Sequence, residues 1–224
     1  MSGGGGAADE ELLWRAMLDD KHRVLYWPFA LPRHMVSDAE GWLISSLREL
    51  QIEVEVETWT DLRHRDPDDM AHADLLFVGG GNTFHLLDHV RRHGFEQVVR
   101  DFVAAGGDFY GGSAGAILAC PDIRIAGEYD TNDLGLTDLN ALGLVRDLVV
   151  LPHYDQGQQE VAHGWSLAWR CAVLGVPERS GLVARGDLLE VVGFADVVED
   201  NGPVVTIHRP GERWSLASRG HTAQ

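Results

Sequence analysis

The sequence predicts an α/β fold built on a mostly parallel sheet flanked by helices, with β-hairpins added near the C-terminus. Two observations predict it. Short apolar runs alternate with helix-period segments through the first two thirds of the chain, as strands joined by helical crossovers require. The closing third is instead strand-rich, with Gly- and Asp-bearing turns between the runs. No repeat or linker interrupts the pattern, so one domain is expected over residues 22–217, a length of chain that can bury a full core. Residues 1–21, with Gly3–Gly6 as their low-complexity run, are expected to be a flexible segment with a possible leading helix, and 218–224 a tail.

Taken in order, Arg23–Phe29 (RVLYWPF) reads as a strand and Ala39–Leu50 as an amphipathic helix, with Trp42, Leu43, Leu47 and Leu50 at helical spacing. Ile52–Trp59 alternates apolar and acidic residues, the mark of a half-exposed strand. Asp74–Val78 is a short apolar strand, followed by helices over Thr83–Arg92 and Phe95–Ala105. Phe109–Tyr110 ends another strand, and Ala114–Ala119 starts a helix. Beyond these, Asp147–Leu151 is strand-like and Glu160–Leu174 helical, with Trp165 and Trp169 expected in the core. Gly181–Ala184, Leu188–Val192 and Val204–His208 complete the strands.

Lys and Arg number 18 against 35 Asp and Glu, a net charge of −17. That balance repels phosphate backbones and anionic lipid, so neither nucleic acid nor a membrane surface is an expected partner. The N-terminus lacks the basic-then-apolar pattern of a signal peptide, and no apolar run reaches membrane-spanning length, which makes the cytoplasm the expected location. Cys120 and Cys171 each lie in apolar stretches and are expected as buried thiols rather than a disulfide.

Gly111-Gly112-Ser113-Ala114-Gly115 fits G-x-S-x-G between a strand and a helix. A nucleophilic serine must project from a sharp turn, and small neighbours leave room for the backbone and an incoming carbonyl. The following helix aims free N–H groups at the site, so the amide of Ala114 can help hold an oxyanion. A second cluster, Gly79-Gly80-Gly81-Asn82-Thr83, also links a strand to a helix. It lacks the lysine and spacing of a phosphate loop. Its amides can serve as oxyanion donors, or the cluster is a tight turn capped by Asn82 or Thr83. Of the 11 histidines, His153 follows DLVVLP and so falls at the carboxyl end of a strand, as do Ser113 and Gly81. Sites in open α/β sheets form at those ends. The carboxylate that would orient His153 stays open at this point among Asp155, Glu178, Asp187 and Glu190. No HExxH or Cys/His spacing suggests a metal, and no cofactor is expected.

Together, Val78-Gly-Gly-Gly-Asn-Thr-Phe84, Gly111-Gly-Ser-Ala-Gly-Ala116, Ala119-Cys-Pro121, Pro152-His153-Tyr154 and Val176-Pro-Glu178 resemble the peptidase E family of aspartyl dipeptidases, with cyanophycinase a more distant relative. The resemblance spans roughly residues 23 to 208. It implies a flavodoxin-like fold related to class I glutamine amidotransferases. It further implies a Ser–His–Glu triad of Ser113, His153 and Glu178, with Gly81 and Ala114 as oxyanion donors. Asp133 resembles a family aspartate important for activity, and Asn82 and Tyr154 join it as candidate substrate contacts. One departure stands out: aspartyl dipeptidases of this family carry arginine after the histidine, whereas Tyr154 through Trp169 contain no Lys or Arg. Binding an acidic side chain without a cation is costly, so strict aspartyl specificity is not expected. The expected partner is therefore a short peptide, with a homodimer possible. Two competing readings are an esterase of the α/β-hydrolase type, with His208 as base after an acid such as Glu190, and a binding module without catalysis.

Overall fold

The structure, a computed structural model, describes residues 1–215. Its elements in chain order are α1 (Glu11–Leu18), β1 (Arg23–Trp27), α2 (Arg33–Glu49), β2 (Glu55–Thr58), β3 (Leu75–Val78), α3 (Thr83–Arg92), α4 (Phe95–Ala104), β4 (Asp108–Gly111) and α5 (Ala114–Ala119). The second half adds β5 (Leu148–Leu151), α6 (Gln159–Trp169), β6 (Ala172–Gly175), β7 (Ser180–Arg185), β8 (Leu188–Gly193), β9 (Val197–Asp200), β10 (Val205–His208) and β11 (Arg213–Ser215).

Parallel strands form the first sheet in the order β2-β1-β3-β4. Its central strands β1 and β3 are apolar on both faces because both are covered, while the edge strand β2 exposes Glu55 and Glu57, and the period of two sorts the core residues. Val24, Tyr26, Leu75 and Phe77 pack against Leu13, Trp14, Leu43 and Leu47 of α1 and α2. Their neighbours Leu25, Trp27, Leu76 and Val78 face the opposite way, onto Leu86, Leu87, Val90 and Val99 of α3 and α4 and onto Ile117 of α5. Each such large side chain taken fully out of water stabilises the fold by ~1.5–3 kcal/mol. A second sheet, β10-β9-β6-β5, pairs β5 with β6 in parallel and the rest antiparallel. A third, β11-β8-β7, is antiparallel throughout and carries the expected hairpin additions.

Three expectations are corrected. The helix expected to run to Leu174 ends at Trp169, where Arg170 takes a left-handed conformation (φ 51°) and releases the chain into β6. Apolar residues 172–174 read equally well as a buried strand, and periodicity alone does not separate the two. Trp169 is accordingly on the surface, stacked on Trp165 and covered by the Arg124 guanidinium. The leading helix exists as α1, but Met1–Gly6 is not a loose lead-in. Met1 and Ser2 are buried, and Ser2 bridges Gly112 on one side and Gly181 on the other, linking the first sheet to the third. The ends expected at 217 and for the tail lie outside the described residues. Cys120 is buried and Cys171 partly so, no disulfide joins them, and burial pushes the Cys120 thiol up to about 12. Among the described residues no helix is long and apolar enough to cross a membrane.

Candidate active site

β4 runs directly into Ser113, which adopts φ 48° and ψ −106° before α5 begins. That conformation is costly for a non-glycine residue and is held by its surroundings. The neighbouring small residues make the bend possible: a Cβ on Gly115 would lie 2.5 Å from the Val78 carbonyl oxygen, so α5 can press against β3 only with glycine there.

His153 lies two residues beyond β5, also with positive φ (53°). Its Nε2 is 2.8 Å from Ser113 Oγ, and its Nδ1 is 3.0 Å from Oε1 of Glu178. Glu178 sits in the turn between β6 and β7. Three strand ends thus bring a hydroxyl, an imidazole and a carboxylate into one chain of contacts. The Glu178 side chain is 57% exposed and that of His153 35%. Of the four carboxylates open on sequence grounds, Glu178 contacts the imidazole. Asp155 instead caps the 3₁₀ turn at 156–158 through Gly157, and Glu190 pairs with Arg185 and Arg213.

Around this chain, a Cβ on Gly80 would lie 3.3 Å from that of Ser113, so the glycine turn after β3 abuts the serine directly. Asn82 is spent on structure: its Oδ1 caps α3 by accepting from His85 N–H, and its amide donates to the Thr131 carbonyl. Asp133 is exposed and pairs with His85 at 2.6 Å, which holds its carboxyl below the usual range. Tyr154, expected as a substrate contact, is buried in the core with its hydroxyl donating to Gln159. Its ring packs against Gly175, whose missing side chain makes the space.

Residues 2–192 match the sequence model of peptidase family S51. The chain belongs to that family. Among curated relatives, peptidase E of Shewanella amazonensis is 36% identical over 155 residues, covering 63% of each chain. Peptidase E of Salmonella newport is 34% identical over 175 residues, covering 70% of each. A crystal structure of a peptidase from an acI-B1 actinobacterium superposes with a TM-score of 0.73 at 19% identity, over 96% of this chain and 95% of that one. Membership of S51 places the protein among the serine peptidases.

Two features of this S51 chain escaped the sequence reading. The N-terminal glycines thread through the site: Gly3 O accepts the His153 N–H at 2.9 Å, and a Cβ on Gly4 would stand 2.5 Å from the imidazole. Only glycine passes between backbones that close, and the run could have been read as a packing signal instead of a flexible one. Beside the thread lies Glu10, 1% exposed, with Oε1 accepting from Ser2 Oγ, Gly4 N–H and Gly5 N–H, and Oε2 from Trp14 Nε1 and the Tyr110 hydroxyl. Burial outweighs these donors and holds the Glu10 carboxyl above its usual range.

The esterase alternative fails on geometry. His208 has both ring nitrogens occupied by carboxylates, Glu199 at 2.9 Å and Glu212 at 3.0 Å, while its ring stacks on Trp214 at 3.6 Å. No ring nitrogen is left to take a serine proton, and Glu190 is held by arginines. Among the described residues one group could hold a metal ion, Asp61 with His89 and His93. There the Leu62 N–H donates to His89 Nε2 and Arg63 clasps Asp61, so both of those donors are already engaged.

Proposed function

We propose that the protein hydrolyses dipeptides or short peptides by acyl transfer through Ser113, His153 and Glu178, without strict demand for aspartate. What supports the reading is the unbroken contact chain from Ser113 Oγ through the imidazole to Glu178, on a chain of a serine peptidase family. Glu178 accepts from the Nδ1 proton and so selects the tautomer whose Nε2 is free to act as base. Ser113 attacks the peptide carbonyl while its proton passes to His153 Nε2. The tetrahedral oxyanion faces the N–H groups of Gly81 and Ala114. Collapse expels the amine, which takes the proton back from Nε2, and leaves an acyl-Ser113 ester. Water, deprotonated by the same imidazole, then attacks the ester and releases the acid and the free serine.

In this reading Asn82 and Asp133 act by framing the glycine turn through α3. Tyr154 underpins the His153 backbone from the core. The experiment is a digest of a dipeptide library by wild type and Ser113→Ala in parallel, with fluorophosphonate labelling of both. Ser113→Ala is expected to lose the label and to lower kcat by about 10⁴-fold or more. A serine that stays unlabelled in a protein that cleaves nothing would return the chain to the binding-module reading.

A further inference from the structure

A cavity of about 370 Å³ opens directly beside Ser113, with Gly80 and Gly112 at its inner rim. Its floor is aromatic: Trp14, Tyr26, Phe77 and Tyr110 are all buried and pack ring against ring, Phe77 on Tyr110 at 4.0 Å and Trp14 edge-on to Phe77 at 5.5 Å. Its outer wall comes from α2 and the chain entering it, through Leu31, Met35, Ala39 and Trp42. Trp42 is 48% exposed and Met35 46%. Apolar side chains that large, gathered in the open at a cavity mouth beside a nucleophile, present a surface for a ligand.

The charge of the wall is equally informative. It contains no Lys, Arg or His; its only ionisable side chains besides the tyrosines are Glu10 and Asp38. Glu10 has both oxygens committed to donors from Ser2, Gly4, Gly5, Trp14 and Tyr110, and Trp14 Nε1 is spent on that carboxylate and on the Tyr110 hydroxyl. A guest therefore meets mostly ring faces and aliphatic atoms, with the Tyr26 hydroxyl and Oδ2 of the Asp38 carboxylate as the uncommitted polar side-chain atoms of the wall. An acidic side chain would lose its hydration here with no cation to replace it, between two carboxyl groups. An aromatic or branched aliphatic side chain would bury its whole apolar surface and gain edge and face contacts with the rings.

We propose that this cavity is the subsite that receives an aromatic or branched aliphatic side chain from the residue next to the scissile bond. It makes peptides carrying such a residue the preferred substrates over acidic ones. The inference rests on Ser113 being the nucleophile and deepens that reading by naming the substrate class. Trp42 is its main specificity determinant, because it stands at the mouth, edge-on to Trp14 at 6.0 Å, where it can close over a guest.

The test compares kcat/KM over two dipeptide series, X-Ala and Ala-X, with X as Phe, Leu, Ala, Asp or Lys. In one series, Phe or Leu is expected to exceed Asp by about 100-fold. Trp42→Ala is expected to lower kcat/KM for the favoured Phe substrate about tenfold more than for Ala-Ala. Trp42→Arg, at the same half-exposed position, is expected to narrow the gap between Phe and Asp by bringing a cation to the mouth. Asp-containing peptides cleaved best, or a loss on Trp42→Ala equal across all substrates, would overturn the subsite while Ser113 still takes the fluorophosphonate. No label and no turnover of any peptide would instead overturn the catalytic reading beneath it.

Discussion

Glu178 and Glu10 stand on opposite sides of the same glycine thread. Glu10 holds the Gly4 and Gly5 amides, and a Cβ on Gly5 would strike the Glu178 carbonyl at 2.3 Å. Yet the two carboxylates live in contrary environments. Glu178 is more than half exposed and touches one imidazole, whereas Glu10 is sealed from water among five donors. A carboxylate that must tune a base through repeated proton transfers needs one strong contact and access to solvent. A carboxylate that holds chain segments together needs saturation and burial. The cluster of His208, Glu199 and Glu212 adds the cautionary case: it has the residue types of a catalytic relay and the burial of a structural one.

The comparison can be broken in several ways. Glu178→Gln is expected to lower kcat by about 10³–10⁴-fold, since the wrong imidazole tautomer is then favoured, while Tm moves little. Steady-state kinetics beside a thermal melt checks both halves, and a large loss of Tm would make Glu178 structural. Glu10→Ala is expected to act on stability first. Leaving buried donors without an acceptor costs about 3 kcal/mol, which for a chain of this size lowers Tm by about 6–12 °C. A smaller effect is expected for His208→Ala, about 1–2 kcal/mol in a denaturant titration through lost stacking and lost hydrogen bonds, with peptidase activity retained. Abolished activity in a folded His208→Ala protein would revive the discarded relay.

The finest test is pH. Because burial lifts the Glu10 carboxyl above its ordinary value of 4.5, the folded chain binds that proton more tightly than the unfolded chain does. The contribution is fully present below about pH 4.5 and fades as pH rises through the folded-state value. Wild type is therefore expected to lose stability relative to Glu10→Gln as pH climbs through that window. A gain relative to the variant would mean that the donors outweigh burial.

The elbow around Ser113 was legible because its chemistry demands local composition: small residues about a serine, an apolar strand before it and a helix after it. His153 was legible by position, because it follows the carboxyl end of an apolar strand as Ser113 and Gly81 do. Glu178 was singled out only through the family resemblance, since an exposed acidic residue in a turn carries no local signature. The glycine thread was misread because four glycines in a row look alike whether they fray or pass between packed backbones. What decides is the partner chain, Pro177–Glu178 on one face and His153 on the other, far away in sequence. The aromatic cavity was out of reach for the same reason. Its floor is drawn from α1, β1, β3 and β4, each readable as ordinary core on its own.

The bridge at Ser2 has a consequence for biogenesis. Its two neighbours, Gly112 and Gly181, arise in widely separated stretches of chain, and the Met1 amine reaches the Leu182 carbonyl across 181 positions. A nascent polypeptide that has made its serine but not yet its β7–β8 hairpin lacks half of the clamp that holds Gly3 against the His153 amide. The packing around the His153 backbone therefore depends on a strand that follows the serine, the imidazole and Glu178 in the chain.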